Sequence, residues 1–360
     1  MSIEFSAEGW ARVRASAQAW WRGELDRPLV QVRLPREPDR PPPQLPADLY
    51  SPQAMYDLEV PIDQVVDRWD YLLARERYLG DGYPYVHPNM GPGALAAFLG
   101  ARPQVGARTV WFQAPDPGDI ADLRLRFDPD TVWFQRLLAF CEEAAKRWEG
   151  RVLVATPDLG GNLDVVQSFR PGPQLFLDLI DTPEEVERLV WEVYEAWWQA
   201  FDAIREALQP ANPGYSAWCK MYSETPYYIL QCDASAMISP DMFARFALPE
   251  IEASARRLDN PFYHLDGVDA LPNLDALLGI DALKGVQWVP GAGQPERDQW
   301  PEVYRKIRAA GKLSQLSGRC AYLDAVRAQL GSGRGFVLFA DDLTDEHEAR
   351  AFLDRHQVPA

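Results

Sequence analysis

The second half of the chain alternates short apolar runs with amphipathic ones, and this pattern constrains the fold more than any other feature. Apolar segments lie at 228–232, 261–264, 282–287, 312–316 and 336–340, interleaved with helical stretches at 239–258, 268–278, 298–309, 321–330 and 345–355. The unit recurs roughly every 25 residues, and such β-α alternation predicts a parallel sheet flanked by helices. Further strand-like runs at 29–32, 84–86 and 152–156 bring the strand count to eight. Eight suits a closed (β/α)₈ TIM barrel, with an open doubly wound sheet as the alternative. No GxGxxG follows the first strand, so the dinucleotide fingerprint of the open sheet is missing.

With 360 residues, 47% of them hydrophobic, the chain can bury one large core. The expectation is a single barrel domain over 1–360, with an N-terminal helix and a Pro-rich loop within 1–50 packed on it. Residues 6–25 read as that helix, with Trp10, Val13, Ala17, Trp20 and Trp21 on one stripe. The prolines of 34–48 predict an extended surface loop. Residues 51–78 read as helical, and Thr109–Gln113 as part of a hairpin outside the main sheet. Ser216–Lys220 is strand-like. A long helix is predicted over 182–208, with Thr182 as N-cap and Pro183 at its first position.

A net charge of −17 repels nucleic acid and anionic membranes, so neither is an expected partner. Cys141, Cys219, Cys232 and Cys320 form no CxxC pair, which argues against a zinc ribbon or a disulfide framework. The N-terminus shows no basic-then-apolar leader, and no apolar run has transmembrane length, so a cytoplasmic protein is expected.

The segment Asn260-Pro261-Phe262-Tyr263-His264-Leu265-Asp266-Gly267 carries the sharpest functional signal. Strand residues alternate sides, so His264 and Asp266 share a face at a strand's C-terminal end, where barrel enzymes keep their chemistry. Asp233 ends another apolar strand and is the candidate acid/base. His87 and Asn89 after the second strand, and Asp158 and Asn162 after the third, are candidate pocket residues; loop hydrogen bonding is their plainer use. Trp218, Tyr222, Tyr227, Tyr228 and Trp288 form an aromatic set that suits a flat or methylated substrate, or ordinary core. Gln287 offers a neutral hydrogen-bonding group. Lys220, on a predicted strand end, either binds an anion or snorkels to solvent.

Several of these runs also resemble a known family. Cys232-Asp233-Ala234, Ile238-Ser239-Pro240-Asp241-Met242-Phe243 and Ala247-Leu248-Pro249 resemble the uroporphyrinogen decarboxylase superfamily, where an acidic strand end precedes an (I/L)SP(E/D)xF helix start and an LP pair. The Pro157 loop, Gly172–Ile180, Asp181-Thr182-Pro183-Glu184 and Gly285-Val286-Gln287-Trp288 fit the same order, and the similarity covers roughly 150–355. The resemblance implies a (β/α)₈ barrel and either of two chemistries. True decarboxylases use a catalytic aspartate and an RQAGR-type arginine motif. Corrinoid-linked methyltransferases use zinc, held by His-x-Cys and a later Cys, to activate a thiol.

This chain departs from both patterns. Arg33-Leu34-Pro35-Arg36 stands in place of RQAGR, though Arg33, Arg36 and Arg40 are candidate carboxylate anchors. Asp266 replaces the first thiolate, and Asp341 or Asp342 falls where the second would be. A His264, Asp266 and Asp341 or Asp342 set suits zinc, iron(II) or manganese. The structural alternative makes His264 a satisfied core residue, with Asp266 and Asp342 as helix caps. The preferred expectation is a metal-dependent, methyltransferase-like activity on a small molecule, with a corrinoid protein as partner and a homodimer as the assembly the resemblance suggests. The alternatives are a metal-free decarboxylase centred on Asp233 with Arg33 and Arg36, and a non-catalytic ligand- or corrinoid-binding barrel.

Overall fold

The computed structural model describes residues 3–37, 41, 43, 50–114, 116 and 118–360. Arg40 and most of the Pro-rich loop lie outside the described residues. Eleven strands occur among them: β1 (Leu29–Pro35), β2 (Glu76–Gly80), β3 (Tyr85–Val86), β4 (Arg102–Val105), β5 (Val110–Gln113), β6 (Leu153–Val154), β7 (Tyr227–Gln231), β8 (Asn260–Asp266), β9 (Gly285–Val289), β10 (Leu313–Gly318) and β11 (Phe336–Ala340). The main sheet has the order β2-β1-β11-β10-β9-β8-β7. All its neighbours are parallel except β2, which runs antiparallel to β1.

The eight predicted strands all form. The backbone ladder, however, is not continuous around them: β3 and β6 pair in parallel as a separate two-stranded unit. The molecule is thus α/β with a largely parallel seven-stranded sheet. The bond from Thr156 N to Ser216 O (2.9 Å) ties the residues after β6 to the chain before β7. β4 and β5 form the expected hairpin apart from the sheet.

Register explains how the sheet divides its two faces. Gln231 pairs with His264, His264 with Gln287, Gln287 with Gln315, and Gln315 with Val337. Residues in register on parallel strands point the same way, so these polar side chains form a row across an inner face. The opposite face carries Val30, Leu265, Val286, Trp288, Leu316 and Leu338, all buried. A strand covered on both faces reads as a near-continuous apolar run, which is why β7–β11 were visible in sequence.

The helix Ala7–Trp21 covers the N-terminal ends of the strands. Ser6 accepts from Gly9 N (3.1 Å) and starts it. Its apolar stripe faces the sheet: Trp20 Nε1 donates to Phe336 O (3.2 Å), and the Trp20 ring stacks on Phe262 with centroids 6.2 Å apart. Each fully buried large apolar side chain is worth roughly 1.5–3 kcal/mol, so this aromatic floor is a main source of stability at the end away from the chemistry.

Four local expectations need correction. Residues 51–78 are not one helix but Gln53–Tyr56 and Ile62–Leu73, followed by β2; pairing with β1 outweighs the helix preference of Arg75-Glu76-Arg77. The stretch 239–258 splits into Pro240–Phe246 and Leu248–Arg257, because Pro249 lacks the N–H that would continue the ladder. Thr182 precedes the helix Pro183–Leu208, but its hydroxyl donates back to Asp178 O (3.4 Å) instead of capping. Finally, Ser216–Lys220 is not a strand. Tyr215 and Ser223 exchange backbone bonds of 2.7 and 2.9 Å, which pinch the residues between them into a loop.

Candidate functional site

The site lies where β7 and β8 end. Register sets Gln231 beside His264, so the residues two further on, Asp233 and Asp266, rise together from adjacent strands. One ligand atom from each of Asp233, His264 and Asp266 lies within 4.8 Å of the others. His264 Nε2 stands 3.8 Å from Asp266 Oδ2.

The inner polar row orients the imidazole. His264 Nδ1 bonds Gln287 Oε1, and Gln287 Nε2 donates to Gln315 Oε1 (2.5 Å). An acceptor on Nδ1 fixes the proton there and leaves Nε2 for the two carboxylates or an ion between them. The Trp218 ring meets the His264 ring edge-on, centroids 5.0 Å apart, and limits its rotation. Gln315 and Gln231 escaped the sequence reading. Their signal was weak: Gln231 ends the apolar run of β7, and Gln315 shares β10 with Ser314 and Ser317.

Asp233 is held by Asp164, another residue the sequence reading passed over. Asp164 accepts from Asp233 N (2.9 Å) and Ala234 N (2.8 Å), and so caps the short 3₁₀ turn Asp233–Met237. Asp158 accepts from Gly160 N (2.9 Å) in the loop after β6. That loop fits closely. A side chain at Gly161 would bring its Cβ to 2.2 Å from Gln231 O, so only glycine lets the two segments meet.

These acids perturb one another. Burial, and then the Asp233 charge, push both Asp158 and Asp164 up to about 7. Asp233 opens to the cleft; loss of hydration raises its carboxyl, His264 opposes that, and Asp266 adds to it. Burial lowers the His264 pKa, but the hydrogen bond to Asp266 and the charges of Asp233 and Asp266 outweigh it, and the net direction is upward. Several negative groups around one imidazole favour a positive charge there, the imidazolium proton included.

Two open clefts adjoin the cluster. One, of 700 Å³, is lined by Asp266, Val289, Arg297, Ser317 and Asp341 among others. The second, of 570 Å³, is lined by Gln231, Asp233, Asp164, Trp111 and Met237 among others.

The remaining predicted residues are placed as follows. Asp341 is exposed and reaches the first cleft, across from the Asp233 side of the cluster. Asp342 accepts from Cys320 N (3.0 Å) at the start of the helix Cys320–Leu330. Arg33 pairs with Glu76 (2.9 Å), and Arg36 with Glu4 (2.7 Å). Asn89 accepts from Gly91 N (2.9 Å) in its own turn and ties that turn to Tyr50 by donating to its carbonyl (2.8 Å). Tyr222 packs on Trp10 of the N-terminal helix, at the floor. Tyr228 packs on Trp197, and Trp288 on Trp300, both on the helix side of the sheet. Of the aromatic set, Trp218 is the one in ring contact with His264 among the described residues. Asn162 bonds the buried Glu250 (3.0 Å). His87 and Lys220 lie on the inner side, where burial and then Lys220 lower the His87 pKa to about 3.

Fold and site together are those of an α/β protein with an Asp233, His264 and Asp266 cluster at the C-terminal ends of parallel strands. Among solved structures the chain is similar to a methyltransferase from Methanosarcina mazei, with a TM-score of 0.60 at 13% identity, covering 96% of this chain and 98% of that one. At that identity the likeness is one of fold. A match to macrophomate synthase, at 16% identity over 61% of this chain and 73% of that one, has a TM-score of 0.23 and carries no argument. No family model matches the sequence. No curated protein matches it. No helix among the described residues is long and apolar enough to cross a membrane.

Proposed function

We propose that the chain is an enzyme with methyltransferase-like activity on a small molecule, built as one (β/α)₈ barrel over 1–360 and dependent on a divalent metal. The observation that carries this is the convergence of Asp233, His264 and Asp266, with the imidazole's far nitrogen tied to Gln287. One imidazole and two carboxylates suit zinc, manganese or iron(II). Such a metal would supply Lewis acidity and bind a thiol or hydroxyl of the substrate as its anion.

The residues divide the remaining work. Gln287 and Gln315 hold the imidazole in one tautomer. Asp164 sets the backbone of Asp233. Asp158, pushed up to about 7, can hold or release a proton near neutral pH. In this reading Asp233 completes the ligand set, Asp342 serves as a helix cap, and Asp341 faces bound substrate. The methyl donor suggested by the family resemblance is a corrinoid protein, and the open clefts leave room for its approach.

The metal-free decarboxylase reading needs Arg33 and Arg36 as carboxylate anchors, and both already hold carboxylates, Glu76 and Glu4. Elemental analysis decides between the two. About one metal per chain is expected in wild type and in Asp342→Ala, with loss in His264→Ala and in Asp233→Ala. Equal metal content in wild type and His264→Ala would overturn the proposal.

A further inference from the structure

The hairpin β4–β5 stands apart from the sheet, yet it reaches the site. Ala114 N donates to Ser168 O (3.0 Å), which ties the end of β5 to the helix Asn162–Phe169. That helix carries Asp164, and Asp164 holds the turn that runs from Asp233 to Met237. Hairpin, helix and turn therefore frame one cleft, the one of 570 Å³.

Two kinds of group line it. Trp111 of β5 and Met237 of the turn are apolar and 69% and 56% exposed; Trp111 is the most exposed large apolar side chain among the described residues. Asp233, Asp164 and Gln231 are polar. Gln231 is only 5% exposed, and its Oε1 is buried with no donor. A buried acceptor without a donor calls for one. Asp164 is already held by two backbone N–H groups, but a carboxylate accepts further bonds. Among the described residues that line the cleft, none is Lys, Arg or His. Carboxylates with no cation beside them favour a positive charge. With Asp266 they number three, which exceeds the charge of one divalent ion on the cluster.

We propose that this cleft takes a methylated ammonium group of the substrate, with its N–H directed to Gln231 and Asp233 and its methyl groups to Trp111 and Met237. Such a group is a cation with an apolar skin. An aromatic face and a thioether receive the skin, and the acids complement the charge. The proposal rests on the methyltransferase-like reading for the reaction and names the substrate class: a small methylated amine that also carries a thiol or hydroxyl. Asp233 belongs to both cleft and cluster, so the two ends of such a molecule need only a short spacer. The other cleft suits the ammonium less, since Arg297 and Arg319 line it.

The test is calorimetric titration of metal-free and zinc-loaded protein, near neutral pH, with 2-(dimethylamino)ethanol and with 3-methyl-1-butanol, which has the same shape and no charge. Wild type is expected to prefer the amine by roughly tenfold or more. Trp111→Leu keeps an apolar side chain but removes the aromatic face; it should weaken the amine by roughly threefold to thirtyfold and leave the alcohol little changed. Trp111→Tyr should retain most of the amine affinity. The side chain is largely exposed, so both variants should fold. Equal affinities in wild type, an amine affinity that survives Trp111→Leu, or no binding of the amine would each overturn the assignment of the cleft. Zinc content of the same samples is read separately. About one zinc per chain with no amine preference would overturn the cleft and leave the metal centre standing. An amine preference in protein that takes up no zinc would keep the cleft and overturn the metal centre.

Discussion

Residues 227–340 and residues 76–226 supply groups to the same inner face by different means. In the later region each strand is five to seven residues long and paired in register with the next. Its functional groups are therefore spaced by the strands themselves: the row Gln231, His264, Gln287, Gln315, with Asp233 and Asp266 one step above. In the earlier region β3 and β6 are two residues each, and a pinched loop does the positioning. Paired strand β8 places His264 and Asp266, a 3₁₀ turn held by Asp164 places Asp233, and the pinched loop places Trp218 and Lys220. Ligand geometry tolerates little error, whereas substrate contacts must differ from one relative to another.

This contrast can be broken most directly in the ladder region. Phe262 is wholly buried against Trp20 and Trp21. Phe262→Ala should cost about 3–5 kcal/mol in urea unfolding. A cost near zero would mean that the aromatic floor does not support the sheet. At the seam between the regions, Gly161→Ala should cost about 3 kcal/mol, because its Cβ meets Gln231 O at 2.2 Å. Gly172, at φ +64° but with open space around it, should lose only about 1 kcal/mol as alanine. Comparable losses at the two glycines would show that the seam is not tightly fitted.

The acids sharpen the comparison through pH. Asp158 binds its proton up to about pH 7 in the fold, well above the unfolded carboxyl value. The native state therefore holds more protons between these limits, and stability falls as pH rises through that window. In chelator, Asp158→Asn should raise stability at pH 8 by about 1–3 kcal/mol, discounted for partial solvation, and by much less at pH 4. An equal gain at both pH values would exclude titration as the cause.

Smaller effects separate metal holding from capping. Gln287→Leu should weaken metal binding by roughly tenfold to a hundredfold, since it frees the far nitrogen of His264. Asp342→Ala should cost about 1 kcal/mol of stability through the lost bonds to Cys320 N and leave metal affinity unchanged. The reverse pattern would return Asp342 to the ligand set.

How much was legible in sequence follows the same division. β7–β11 announced themselves because strands buried on both faces are largely apolar, interrupted here by the inner polar row. His264 and Asp266 were found by alternation within one strand. Their closeness to Asp233 was not, because it depends on register between β7 and β8, a long-range property. The loop 215–223 looked like a strand because its apolar content is the same. What bends it is a set of hydrogen bonds from Gln31, Tyr83 and Tyr85, residues more than a hundred positions earlier.

The backbone bridge between Tyr215 and Ser223 has a bearing on how such a protein changes over time. A segment whose two ends are already fastened together can be exchanged as a cassette, its contents replaced without disturbing the frame that carries it. Seven positions lie between the fastened ends, and the one link from them to His264 described above is the ring of Trp218.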